Sequence, residues 1–226
     1  MRLIYIFDLG GVLINLNVNR CLQAFERIMG EENMRLVLGM DSRGEGVKAV
    51  SIASKQLMAD FERGLISSDS FVSQVQQYSY PGTTTEEIVE AWMSMLDELP
   101  EERLAFVDSL RAKGHPVYLL SNGNDLHYDF INRKYGLESH FDGVFLSQKM
   151  HMAKPESEIF EAVQKELGNP ENVIFIDDLQ ANRLAAEQTV RWKTFESIDA
   201  LRVNIPKMYY LCLAKVRMTQ NKPVTH

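Results

Sequence analysis

Five short apolar runs constrain what this chain can fold into: "RLIYIF" (2–7), "PVYLL" (116–120), "GVFLS" (143–147), "VIFID" (173–177) and "WKTF" (192–195). They are apolar nearly throughout instead of alternating, the pattern of strands buried on both faces of a parallel sheet. Helical patterns separate the last four. "DLHYDFINRKYG" (125–136) and "ESEIFEAVQKELG" (156–168) end in Gly136 and Gly168, and "QANRLAAEQ" spans 180–188. A glycine just past the last apolar turn is a helix stop. Strand–helix–strand alternation predicts an α/β fold with right-handed crossovers.

The first interval breaks the rhythm. More than 100 residues separate the first run from the second, where one crossover needs about 10–12. Helical patterns fill the gap at 17–30, 48–64, 67–79 and 84–96, and 100–114 is the ordinary helix feeding the second strand. The expected division is a catalytic core of residues 1–15 and 86–226, with a helical cap of 16–85 inserted after strand one. The chain is expected to return to the core near "YPGTTT" (80–85).

At 226 residues with a net charge of −7, one core domain with an insertion is affordable in surface burial and nucleic acid is disfavoured as a partner. Cys21 and Cys212 have no metal-ligand spacing and read as reduced thiols. No run approaches the roughly 20 apolar residues of a membrane span. "MRLIYIF" meets an acid and two glycines at once, so it reads as a strand and not a signal peptide, and a cytoplasmic setting is expected. Beyond Asp199 there is no acid, while Arg202, Lys207, Lys215, Arg217 and Lys222 carry +5, leaving about −12 on the rest. "IPKMYYLCLAKVRM" (205–218) is expected to be a basic amphipathic helix docking on the core or on a subunit partner, giving a route to oligomers.

Ligands of an open α/β sheet bind beyond the carboxyl ends of its strands. Strand one delivers Asp8 there, strand two Ser121 and Asn122, and strand four Asp177 and Asp178; Lys154 opens the helix after strand three. Three carboxylates crowded at one edge repel, and oxygen ligands without His or Cys point to Mg²⁺. An aspartate can attack phosphorus and carry an aspartyl-phosphate. The cation would neutralise charge during transfer, with Lys154 and Ser121 on the phosphoryl oxygens.

"IFDLGGVL", "LLSN", "KPESEIF" and "FIDDLQAN" resemble the four ordered motifs of the haloacid dehalogenase-like hydrolases, over most of the chain as far as about Phe195. The likeness is to small-molecule phosphatases with a helical cap, and "FERGLISSDSF" (61–71) resembles that subgroup's cap. It implies a Rossmann-like three-layer core with strand order 5-4-1-2-3 and a small phosphorylated substrate, a sugar phosphate. Asp8 is implied as nucleophile, Ser121 and Asn122 as phosphate ligands, and Lys154 as holding phosphate and nucleophile. Asp178 is implied as a Mg²⁺ ligand, Asp177 as one directly or through water, and Asn182 as fixing the metal loop.

The family pattern is Asp-x-Asp, the second aspartate protonating the leaving alcohol; here Gly10 stands in its place, with only its carbonyl left to ligate Mg²⁺. Losing a positioned acid costs about 10²–10⁴-fold. Three readings stay open: a phosphatase for good leaving groups such as anomeric sugar phosphates, a phosphate- and Mg²⁺-binding relative with little turnover, or a dehalogenase, against which "DD" at 177–178 argues. His127 and His151 are the candidate substitute donors. "MDSRGEGVK" (40–48) reads as an interhelical loop with Arg43 and Lys48 available to an anion. The glycine usual before the last strand is absent from "TVRW" (189–192).

Overall fold

The computed structural model describes residues 2–39 and 52–204. The loop at 40–48 and the basic segment 205–218, with Cys212, lie outside the described residues. Strands β1 (Ile4–Phe7), β2 (Val117–Ser121), β3 (Gly143–Leu146), β4 (Val173–Ile176) and β5 (Lys193–Phe195) form one sheet in the order β3-β2-β1-β4-β5, every pair parallel. That is the strand order the resemblance implied.

Alternate residues of β1, β2 and β4 enter different cores, so these strands are apolar almost throughout. Tyr5, Phe7, Val117, Leu119, Ile174 and Ile176 pack with Leu104, Val107 and Leu110 of α5 (Glu101–Ala112) and with Tyr128 and Ile131 of α6 (Asp125–Tyr135). Ile6, Leu120, Val173 and Phe175 pack on the other face against Ile159, Phe160 and Val163 of α8 (Ser157–Glu166) and Ala186 of α9 (Gln180–Val190). Helix α6 stops at Gly136 in the left-handed region, as its sequence predicted.

Between β1 and α5 lie α1 (Val18–Leu38), α2 (Ile52–Glu62), α3 (Ser68–Gln76) and α4 (Thr85–Met93). Gly30, where the first helical pattern ends, kinks α1 with φ 81°. Their shared core includes Phe25, Met29, Phe61, Phe71 and Val75, with Phe61 stacked on Phe71 at 4.0 Å between ring centroids. The expected boundary at residue 85 falls on the first residue of α4, whose Ile88, Ala91 and Trp92 belong to this same core. Amphipathic α4 needs an apolar partner, and α1 and α3 supply it. The two chain crossings pair with each other further on: Asn15 N–H donates to the Glu98 carbonyl (2.8 Å), Asp97 N–H to Asn15 (3.0 Å), and Asn17 N–H to Met95 (2.8 Å).

Two local differences bear on the site. Ser147, expected at the end of the third strand, instead opens a short helix, α7 (Ser147–Met150). Arg191 closes α9 at φ 60°, so the left-handed turn that a glycine would make is made here by an arginine. Among the described residues no helix is long and apolar enough to cross a membrane.

Candidate active site

The loop after β1 is held tightly. Leu13 and Ile14 N–H groups both donate to the Leu9 carbonyl at 2.9 Å, and Gly11 N–H donates to Ile14 at 2.9 Å. Gly11 has φ +74°, and a Cβ there would come within 2.4 Å of an Asp178 carboxylate oxygen. Position 11 therefore admits glycine alone if the loops after β1 and β4 are to meet. Gly10 is different: its φ is not left-handed, and a Cβ would meet only Leu16 Cδ1, at 2.9 Å. The side chain of Leu16, not a carboxyl, lies beside position 10.

Lys154 binds the strand ends together. Its buried Nζ lies 2.9 Å from Asp8 Oδ1, 2.6 Å from Asp177 Oδ2 and 3.0 Å from the Leu120 carbonyl, three acceptors for three protons. Burial works against the ammonium, but Asp8 and Asp177 hold its pKa above the ordinary lysine value. Burial pushes Asp8 up to about 7 against the pull of Lys154. Burial, then the charge of Asp177, raises Asp178.

Asp177 is fully occupied: Leu179 N–H donates to it at 2.9 Å, and Asn182 Nδ2 lies 3.0 Å from both its oxygens. Asp178 is exposed and lines the cavity. Arg183, which sequence reasoning passed over, donates to the main-chain carbonyls of Asp177 (2.7 Å) and Asp178 (2.8 Å) and so braces the turn. Oxygens of Asp8, Asp177 and Asp178 lie within 4.8 Å of one another. With all three carboxylates ionised against one ammonium the site would carry −2, and such an all-oxygen donor set fits a hard divalent cation such as Mg²⁺.

Ser121 is buried at the end of β2 and lines the same cavity as Asp8. The Asn122 side chain is committed within the protein. Its Nδ2 donates to the Lys154 carbonyl (2.8 Å) and its Oδ1 accepts from Lys154 N–H (2.9 Å). The side chain thus fixes the loop that carries Lys154, and a phosphate contact from Asn122 is left to its main chain.

Neither histidine suits proton donation to a leaving group. His127 is stacked on Trp92 with Nε2 3.1 Å from the Trp92 carbonyl, and burial pulls it down to about 4, so it is neutral at pH 7. His151 is turned to the Arg63 carbonyl, with Nδ1 2.8 Å away. Asn17 caps α1, accepting from Arg20 N–H at 2.9 Å.

These groups open on a cavity of about 460 Å³ between the sheet edge and the helical unit, lined by Asp8, Ser121, Lys154 and Asp178 on one side and by Leu16, Trp92 and Met95 on the other. The haloacid dehalogenase-like hydrolase family model matches residues 4–188, which span every one of these side chains. The chain belongs to that family. A D-ribitol-5-phosphate phosphatase of Bacteroides thetaiotaomicron is 27% identical over 184 residues, covering 78% of this chain and 83% of the relative. A sesquiterpene phosphatase of Aspergillus oryzae is 27% identical over 186 residues, 80% and 83%. Among solved structures, a family enzyme of B. thetaiotaomicron in complex with magnesium and inorganic phosphate is 31% identical with a TM-score of 0.71, over 86% of this chain and 93% of that one.

Proposed function

We propose that this hydrolase is a Mg²⁺-dependent phosphatase that cleaves a small phosphorylated metabolite, a sugar phosphate, through an aspartyl-phosphate at Asp8. The observation that carries the reading is the Lys154 ammonium held between Asp8 and Asp177 at the carboxyl end of the sheet. The relatives named as phosphatases support it.

On this reading Mg²⁺ is held by the Asp8 carboxylate, the Gly10 carbonyl and Asp178, with Asp177 behind them. Bound, it screens the nucleophile from the phosphate and neutralises charge in transfer. A carboxylate oxygen of Asp8 attacks phosphorus as the ester P–O bond breaks, and water then hydrolyses the acyl phosphate. Lys154 draws Asp8 toward its ionised form against burial and, with the Ser121 hydroxyl, holds the phosphoryl oxygens. With Leu16 beside position 10, the leaving oxygen departs without a protein acid there, which selects leaving groups of low pKa, such as an anomeric sugar oxygen. The helical unit is the cap, and α4 belongs with it.

The test is Mg²⁺-dependent phosphate release across sugar phosphates, including sugar 1-phosphates, with Asp8→Asn as control. Metal-dependent release that favours anomeric phosphates and is lost in the control is expected. Binding of phosphate and Mg²⁺ without release above the control would overturn it in favour of a non-catalytic relative.

A further inference from the structure

Gln148, the second residue of α7, is only 4% exposed, and neither its Nε2 nor its Oε1 has a hydrogen-bond partner. It lines the cavity that holds Asp8 and Lys154. Buried amides are nearly always hydrogen-bonded, so one left open on both ends marks a place where a ligand completes the pairing. The neighbouring amides do not share this state: Asn122 is bound to the Lys154 main chain, Asn124 accepts from His127 N–H (3.0 Å), and Asn182 is bound to Asp177.

The position of Gln148 is fixed from both sides. Ser147 Oγ accepts from Gly123 N–H (3.0 Å), in the loop after β2, and donates to the Glu62 carbonyl (2.6 Å) at the end of α2. Gly64, at φ +64°, sits so close that a Cβ there would lie 2.2 Å from the Gln148 carbonyl. The carboxamide is thus pre-placed where the cap meets the core, in a cavity whose remaining walls include apolar Ile14, Leu16, Met95 and Leu96.

We propose that Gln148 is a specificity-determining residue for the alcohol half of the substrate, donating from Nε2 and accepting at Oε1 to adjacent hydroxyls on neighbouring carbons. Each hydroxyl both donates and accepts, so a vicinal pair answers both ends of one carboxamide. This rests on the phosphatase reading and narrows the substrate class to sugar and polyol phosphates, excluding alkyl and isoprenoid phosphates, which would leave the amide unpaired.

The experiment compares glucose 1-phosphate, ribose 1-phosphate and ribitol 5-phosphate, each with its monodeoxy analogues. The wild-type protein, Gln148→Met and Gln148→Glu are assayed for kcat/KM, and Asp8→Asn with Mg²⁺, alone and combined with each Gln148 substitution, is assayed for Kd by calorimetry. In the wild type, removing one hydroxyl of the recognised pair is expected to cost about 10–100-fold on at least one skeleton. Gln148→Met should bring that ratio to within about 3-fold of unity. Gln148→Glu, which keeps size and an acceptor but loses both donors, should do so in part. Equal values for every parent and analogue, or a ratio that survives both substitutions, would overturn the assignment. Phosphate release no higher than in Asp8→Asn would overturn the phosphatase reading instead, and the Kd ratios would then still decide the role of Gln148.

Discussion

Restoring a carboxyl at position 10 tests the account of the site most directly. Gly10 has an ordinary backbone conformation, and the one obstacle to a Cβ is the end of a flexible Leu16 side chain at 2.9 Å. Gly10→Asp alone should cost about 1–3 kcal/mol of stability through overpacking. Leu16 is 41% exposed, so adding Leu16→Ala removes the obstacle for about 1 kcal/mol of lost burial. A positioned general acid is worth about 10²–10⁴-fold in rate, or roughly 3–5 kcal/mol of barrier. That gain appears only where the leaving oxygen needs a proton. The assay is kcat for p-nitrophenyl phosphate, a good leaving group, beside kcat for a simple alkyl phosphate, a poor one. In Gly10→Asp/Leu16→Ala the alkyl-to-aryl ratio should rise by at least about 100-fold. A double variant that melts cooperatively near the wild type yet leaves the ratio unchanged would refute the reasoning, since some other group would then be supplying the proton.

Two further outcomes follow from the buried charges. Lys154→Met removes the ammonium from two buried carboxylates, so it should abolish phosphate release and lower the unfolding free energy by about 3–5 kcal/mol in urea titrations without metal. His127 is held near pKa 4 in the folded protein against 6.5 when free. The unfolded chain therefore binds more protons between those values. Its stabilising contribution is complete above pH 6.5 and is lost as pH falls toward 4, by about 3 kcal/mol in all. His127→Phe should flatten that limb of the stability–pH curve, and a limb of unchanged slope would show that other groups carry it.

Strands and the residues at their ends were legible because burial on both faces forces long apolar runs, and a polar residue ending such a run stands out. Asp8, Ser121 and the 177–178 pair were found this way and Lys154 as the opening of the next helix, and they do meet at one edge of the sheet. The packing partner of α4 was not legible: the helix carries the same amphipathic signal whether its apolar face seeks the sheet or the helices, and only packing chose. The partners of the Asn122 side chain were hidden for a related reason. An asparagine at a strand end advertises hydrogen bonds without saying to what, and here both ends go to the Lys154 main chain. Gln148 gave no signal at all in "LSQKM", because nothing in that string tells of a cap loop closing over it.

The paired glycines show the distinction most sharply, being identical letters with opposite causes. Gly11 is demanded by its positive φ and by the Asp178 carboxylate against it, so no selection for function could replace it without moving the turn at 177–178. Gly10 is demanded by neither backbone nor carboxylate, and the leucine beside it belongs to the cavity wall. What glycine at 10 permits is an apolar wall where relatives of the Asp-x-Asp kind place a proton donor. On the proposed reading, reactivity at that end of the cavity comes from the substrate's own leaving group, while the polar demand is met at Gln148. A site that withholds a proton from one end of its substrate and offers an unpaired amide to another discriminates by chemistry at the first and by hydroxyl pattern at the second.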